Sequence, residues 1–171
     1  MRTLMNKAKQ RKKRYAATRA VFVVLVVLIL IPIKTGAIQI SVTGSWTRTI
    51  DAADLQGLAG SDLNPVYESA TNQIGIEIRQ TSANWSVDIK KIDTNWHGNF
   101  HLFVRRTSNG NGSGSISGGT TYQEVTDVDQ AFFSGFRVRT FIDIQLRLEG
   151  VSVQVPQDSY TTTLYYTVTE I

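Results

Sequence analysis

The run Phe141-Ile-Asp-Ile-Gln-Leu-Arg-Leu-Glu149 decides the fold class. Ile142, Ile144, Leu146 and Leu148 alternate strictly with Asp143, Gln145, Arg147 and Glu149. Successive side chains on a strand point to opposite faces, so this period of two predicts a strand with one apolar and one polar face. Gly150 interrupts the pattern, and Val151, Val153 and Val155 restart it until Pro156, which predicts a second strand. Pro156-Gln-Asp-Ser159 then reads as a turn, because proline presets its own φ and Asp and Ser bond back to nearby amides. Beyond it, Thr162, Leu164, Tyr166 and Val168 alternate with Thr161, Thr163, Tyr165 and Thr167. Thr and Tyr suit a pleated, half-wet surface. Three consecutive strands with a common inner face are expected here, the end of an antiparallel β domain.

Working back from this end, the same rhythm recurs. Ile74, Ile76 and Ile78 form one alternation, Trp85, Val87 and Ile89 another, and Phe100, Leu102 and Val104 a third. Ile38, Ile40 and Val42 alternate with Gln39, Ser41 and Thr43, and Trp46 extends that strand. Tyr122 to Val128 reads as a weaker strand and Phe132-Phe-Ser-Gly135 as an apolar knot. Asp51 is placed to cap a short helical turn over 52–56. The Gly/Ser/Asn-rich run 107–119 reads as a mobile loop. Seven or eight short strands and no strong helix predict an all-β fold, an antiparallel β-sandwich of Ig-like or pilin-like type, over residues 38–171.

Charge divides the chain at the same boundary. Residues 1–37 hold nine of the 18 Lys and Arg and none of the 14 acids. The remainder carries 9 basic and 14 acidic side chains, a net of −5. The overall pI of about 9.5 therefore describes the leader, and no nucleic-acid partner is expected of the body. Ala20 to Ile33 is an uninterrupted apolar run behind a basic segment, with Pro32 and then Thr35-Gly-Ala37 after it. That is the layout of a secretory signal cut after Ala37, or of an uncleaved anchor with the basic flank inside. Either way the body is expected outside the cell, in contact with a membrane only through its N-terminal segment. The absence of cysteine excludes a disulfide framework and a thiolate nucleophile.

The C-terminal strands also carry a resemblance. Gly150–Pro156 and Tyr160–Thr169 resemble the C-terminal signature of secreted pilin-like and spore-coat-U-like bacterial surface proteins. The likeness covers about twenty residues, with strand rhythm alone over the rest. It implies a non-enzymatic fibre or coat subunit that completes its fold with a strand from a neighbour. Many members of that group carry cysteines, and this chain departs from them in having none.

The residues themselves nominate few sites. His97 and His101 stand at i and i+4, but Gly98, Asn99 and Phe100 between them read as a turn entering a strand, which separates the imidazoles. Asp127 with Asp129, and Asp88 with Asp93, lack any calcium-loop pattern and read as solvated acids. No nucleophile elbow, zincin or phosphate-loop motif is present, so no catalytic, cofactor or metal residue is assigned. Trp46, Trp85, Trp96, Tyr67 and Tyr122 make the case for a polysaccharide-binding module, with Trp96 expected to be the exposed ring and Trp85 to lie in the core. The sharpest expectation concerns residues 38–49. Ile38, Ile40, Val42 and Trp46 form a candidate assembly strand, pairing either with the edge of another subunit, to make a homopolymer, or within its own domain.

Overall fold

The computed structural model describes residues 36–171; residues 1–35 of the expected leader lie outside the described part. Ten strands follow in order: β1 (Gln39–Thr43), β2 (Val66–Glu68), β3 (Ile74–Arg79), β4 (Asn84–Asn95), β5 (His101–Arg106), β6 (Ile116–Gly118), β7 (Gln123–Glu124), β8 (Gln130–Phe136), β9 (Arg139–Glu149) and β10 (Thr161–Glu170). The only helix among the described residues is a 3-10 turn, Ala52–Asp54, with a capping box between Asp51 and Asp54. No helix among them is long and apolar enough to cross a membrane.

The strands make two antiparallel sheets, a β-sandwich. One has the order β1-β3-β9-β5-β7, with β2 also paired to β9; the other runs β10-β4-β8-β6. β9 organises the first sheet. β3 pairs with its first half and β2 with its last three residues, while β5 takes the other side. Ser69 closes the gap between β2 and β3: its hydroxyl accepts the Leu146 N–H at 2.8 Å and its carbonyl accepts from Gln145 Nε2 at 2.9 Å. This explains how Gln145, on the polar side of the alternation, is buried.

The main core lies between the sheets. Ile76, Ile78, Val104, Ile142 and Ile144 face Trp85, Val87, Ile89, Phe132 and Phe133. The alternations of β3, β4 and the first part of β9 deliver their apolar sets to this layer, and Trp85 is fully buried. A second, smaller cluster gathers Tyr67, Phe100 and Val151, with Trp46, Trp96, Leu148 and Tyr160 packed on it.

Four expectations are corrected. First, residues 151–155 form no strand. Gly150 turns the chain at φ 81°, so close to Asn99 that a Cβ would sit 1.7 Å from its carbonyl oxygen. The Val153 N–H then bonds to Asp62 Oδ1 instead of a strand, and Val151 drops into the second cluster. Second, β9 and β10 share no sheet, because this irregular segment carries the chain from one layer to the other. Third, the apolar knot is β8, an inner strand of the second sheet. Its register skips between Val87↔Phe133 and Asp88↔Ala131, and the bulge sends both Phe132 and Phe133 inward, which erases the period of two.

Fourth, the glycine-rich run 107–119 is packed, not loose. Gly110, Gly112 and Gly114 lie against the β8–β9 hairpin, where a Cβ would come within 2.3, 2.3 and 1.5 Å of the carbonyl oxygens of Thr140, Val138 and Phe136. Buried Arg106 holds the same run from inside, donating to the Gly118 carbonyl, the Ser108 carbonyl and Asn109 Oδ1. The run ends as β6, paired with β8.

Candidate assembly interface

A sandwich has four sheet edges, and here they differ by flank. On one flank the edges are β6 and β7, three and two residues long. Strands this short offer few free backbone groups, which is one of the ways proteins protect an edge. On the other flank the edges are β10 and β1, with the three-residue β2 beyond β3 along β9, and β1 and β10 approach each other across the sandwich.

β10 is the longer of the two. Its ten residues pair with β4 over Thr161–Glu170, and no described strand pairs with its outer side. Leu164, Tyr166 and Val168 are half-buried against the core and Thr162 is half-buried beside Ile92, while Thr161, Thr163, Tyr165, Thr167 and Thr169 are exposed. Alternate residues of an antiparallel edge strand aim N–H and C=O outward, so β10 carries a row of such groups. It contains no proline or lysine, and its only charge is Glu170, at the end. The one irregularity is a register shift between Thr161 and Thr162. Tyr166 aims its ring at Phe132, and burial pushes its phenol well above the ordinary range; its hydroxyl has no partner among the described residues.

Of the candidate strand 38–49 only β1, Gln39–Thr43, forms; Ile38 lies just before it, and Trp46 lies outside because the chain leaves the ladder at Gly44. β1 pairs with β3 of the same chain, Gln39↔Arg79 to Thr43↔Gly75. Ile38 and Ile40 are half-buried against the main core, and Trp46 touches both clusters. Val42 remains 42% exposed. The strand has no charged residue, and its outer side is unpaired among the described residues. It ends at Gly44, which has a φ of 104° and lies against the Gln73 carbonyl. β1 is thus held by one ladder, half-buried Ile40 and the flanking Ile38.

The other nominated residues are placed elsewhere. Trp96 is half-buried, not an open ring as its sequence context suggests: its N–H donates to the Phe100 carbonyl at 3.1 Å, Phe100 packs edge-on against it, and Lys91 lies 5.4 Å from its centroid. Tyr67 is buried, and Tyr122 is covered by the guanidinium groups of Arg105 and Arg147. His97 accepts the Asn99 N–H, and His101 contacts Glu124 on the outer face of the first sheet. Asp129 pairs with Lys90, and Asp93 with Lys91. Among the described residues no group of three His, Asp or Glu converges as a metal site would require. Thr71, Arg105, Arg106, Thr107 and Thr120 line an open cleft, but Arg106 spends its donors on the carbonyls beneath it.

The sequence nominated β1 and missed β10 as an edge, although the Thr-rich outer face of β10 is plain in the sequence. Edge position depends on strand order, which local pattern does not encode. No family model, no curated protein and no solved structure matches the chain.

Proposed function

We propose that this protein is a structural subunit of an extracellular fibre or coat, whose copies join by β-strand addition at the flank formed by β1 and β10. The observation that supports it is the contrast between flanks. The edges on one side are two short strands, whereas those on the other are uncharged or nearly so, proline-free and, in β10, ten residues long. An open edge of that kind in a monomer is an aggregation hazard, and a proper assembly contact removes it. Within residues 38–49, β1 contributes as the strand next to that edge, either staying in place or exchanging into a neighbour. The basic and apolar run at the N-terminus would carry the body outside the cell.

The test is the size and shape of purified residues 38–171, by light scattering and negative-stain microscopy. Regular oligomers or filaments are the expected result. A monodisperse monomer at high micromolar concentration, with no filaments over days, would overturn the reading.

A further inference from the structure

Two Asn-x-Ser triplets occur in the chain, Asn84-Trp85-Ser86 and Asn111-Gly112-Ser113, and neither has proline in the middle. This is the acceptor pattern for N-linked glycan attachment in exported proteins. The pattern alone is common, so what matters is how the fold presents it.

The first triplet lies in a strand with its middle residue turned into the protein, and the second sits on an exposed bend beside the β8–β9 hairpin. In the first, Trp85 is fully buried, and the strand alternation sends Asn84 and Ser86 to the opposite, outer face of β4. In the second, Gly112 lies against the Val138 carbonyl, and Asn111 and Ser113 are both exposed. The backbone of Asn111 is anchored there by reciprocal hydrogen bonds with Thr140, at 2.6 and 2.9 Å. In the first triplet the amide and the hydroxyl two residues on therefore share one outward face, and in the second both side chains are exposed. Neither side-chain amide is engaged by another described residue. The two sites also neighbour each other: Asn84 pairs with Phe136, and the run 110–114 lies along residues 136–140. Neither triplet belongs to β1 or β10, although Asn84 stands beside the end of β10, its carbonyl accepting the Ile171 N–H at 3.0 Å.

We infer that Asn84 and Asn111 are N-glycosylated, giving the sandwich a sugar-bearing end beside its β8–β9 hairpin. The donor is a saccharide activated on a polyprenyl phosphate or pyrophosphate. The Asn Nδ2 forms a bond to the anomeric carbon, the bond from that carbon to the phosphate oxygen breaks, and its electron pair leaves with the phosphate. The displaced amide proton goes to base, and nothing is oxidised or reduced. This inference rests on the export proposed above.

The test is peptide mass spectrometry on the full chain isolated from the cells that make it, with envelope, medium and cytosol analysed separately. Added saccharide mass on the Asn84 and Asn111 peptides is expected. Ser86→Ala and Ser113→Ala should each remove it completely at their own site, while Ser86→Thr and Ser113→Thr should retain it. Unmodified peptides from exported chain overturn this inference alone, and so does saccharide found on Ser or Thr in place of Asn. Unmodified chain confined to the cytosol overturns both this inference and the export reading.

Discussion

Trp85 and Gly135 face each other in the β4–β8 ladder, and the indole fills the space that any side chain at 135 would need. A Cβ there would stand 2.4 Å from Trp85 Cζ2 and 2.8 Å from the Ser115 carbonyl oxygen. The indole N–H meanwhile donates to the Arg137 carbonyl at 2.7 Å, which pins the ring in that position. Gly135→Ala is therefore expected to destabilise the domain by about 1–3 kcal/mol, the usual cost of overpacking a filled core. Urea unfolding followed by tryptophan fluorescence measures it, and an unchanged midpoint would contradict the packing described.

Arg106 predicts the behaviour of the glycine-rich run. Its guanidinium is buried, pairs with no carboxylate among the described residues, and bonds to the Gly118 and Ser108 carbonyls and to Asn109. Desolvation, and then the nearby Arg139, lower its pKa from the ordinary arginine value. Arg106→Met leaves those acceptors without a donor, and on the order of 2–4 kcal/mol of stability should be lost. Hydrogen exchange localises the effect: amides of 108–119 should lose protection well before those of β4. Uniform loss across the domain would mean that Arg106 supports the core and not this run.

The acid limb of the stability curve should depend on Asp62. Its carboxylate accepts the Val153 and Leu63 N–H groups, and these bonds lower its pKa, as the Asp51 N–H and then Arg48 do for Asp54. A carboxyl with a lowered folded pKa binds fewer protons folded than unfolded. Its contribution is complete above the ordinary carboxylate value of about 3.9, and is lost as pH falls through the lower folded value. Asp62→Asn should flatten the stability loss that sets in as pH falls below about 4, as read by thermal melts at successive pH. An unchanged slope would remove Asp62 from the account.

Strand exchange and simple edge addition can be separated with one disulfide. Ser41 and Glu77 are register partners in β1 and β3, and the chain has no native cysteine to interfere. Directly opposed residues in an antiparallel pair lie within the Cα separation a disulfide accepts. Oxidised Ser41→Cys/Glu77→Cys holds β1 in its own subunit. Filaments that survive oxidation place the contact at the outer edges, and filaments lost on oxidation and restored by reduction require β1 to leave.

Charge on the edge gives the complementary result. Thr163 and Thr167 are exposed on β10 and make no contact with the core. Thr163→Lys with Thr167→Lys should abolish assembly while changing the stability of the monomer by no more than about 0.5 kcal/mol. Assembly that persists would exclude β10 from the contact.

How far the sequence could be read depended on whether a strand was buried on one face only. β3, β4, β5, β9 and β10 each keep a wet face, so alternation alone disclosed them and their inward residues. β8 did not disclose itself, because its bulge turns adjacent Phe132 and Phe133 the same way. Residues 151–155 misled for the opposite reason: Val151, Val153 and Val155 alternate, yet Gly150 and Asp62 give their backbone other partners. Trp96 showed the same limit, its polar neighbours in sequence concealing Phe100 and Lys91 in space.

The sequence by itself determined the all-β class, the apolar face of each regular strand, the burial of Trp85 and the Asp51 cap. Those properties are local, since side-chain period and cap chemistry act within a few residues. Only the tertiary structure decided which strands became edges, that β9 and β10 lie in different sheets, and that Gly110, Gly112 and Gly114 are packing surfaces for the hairpin. These depend on strand order and backbone contact between segments far apart along the chain, and the candidate interface, an open flank made by the first and last strands, is a property of that order.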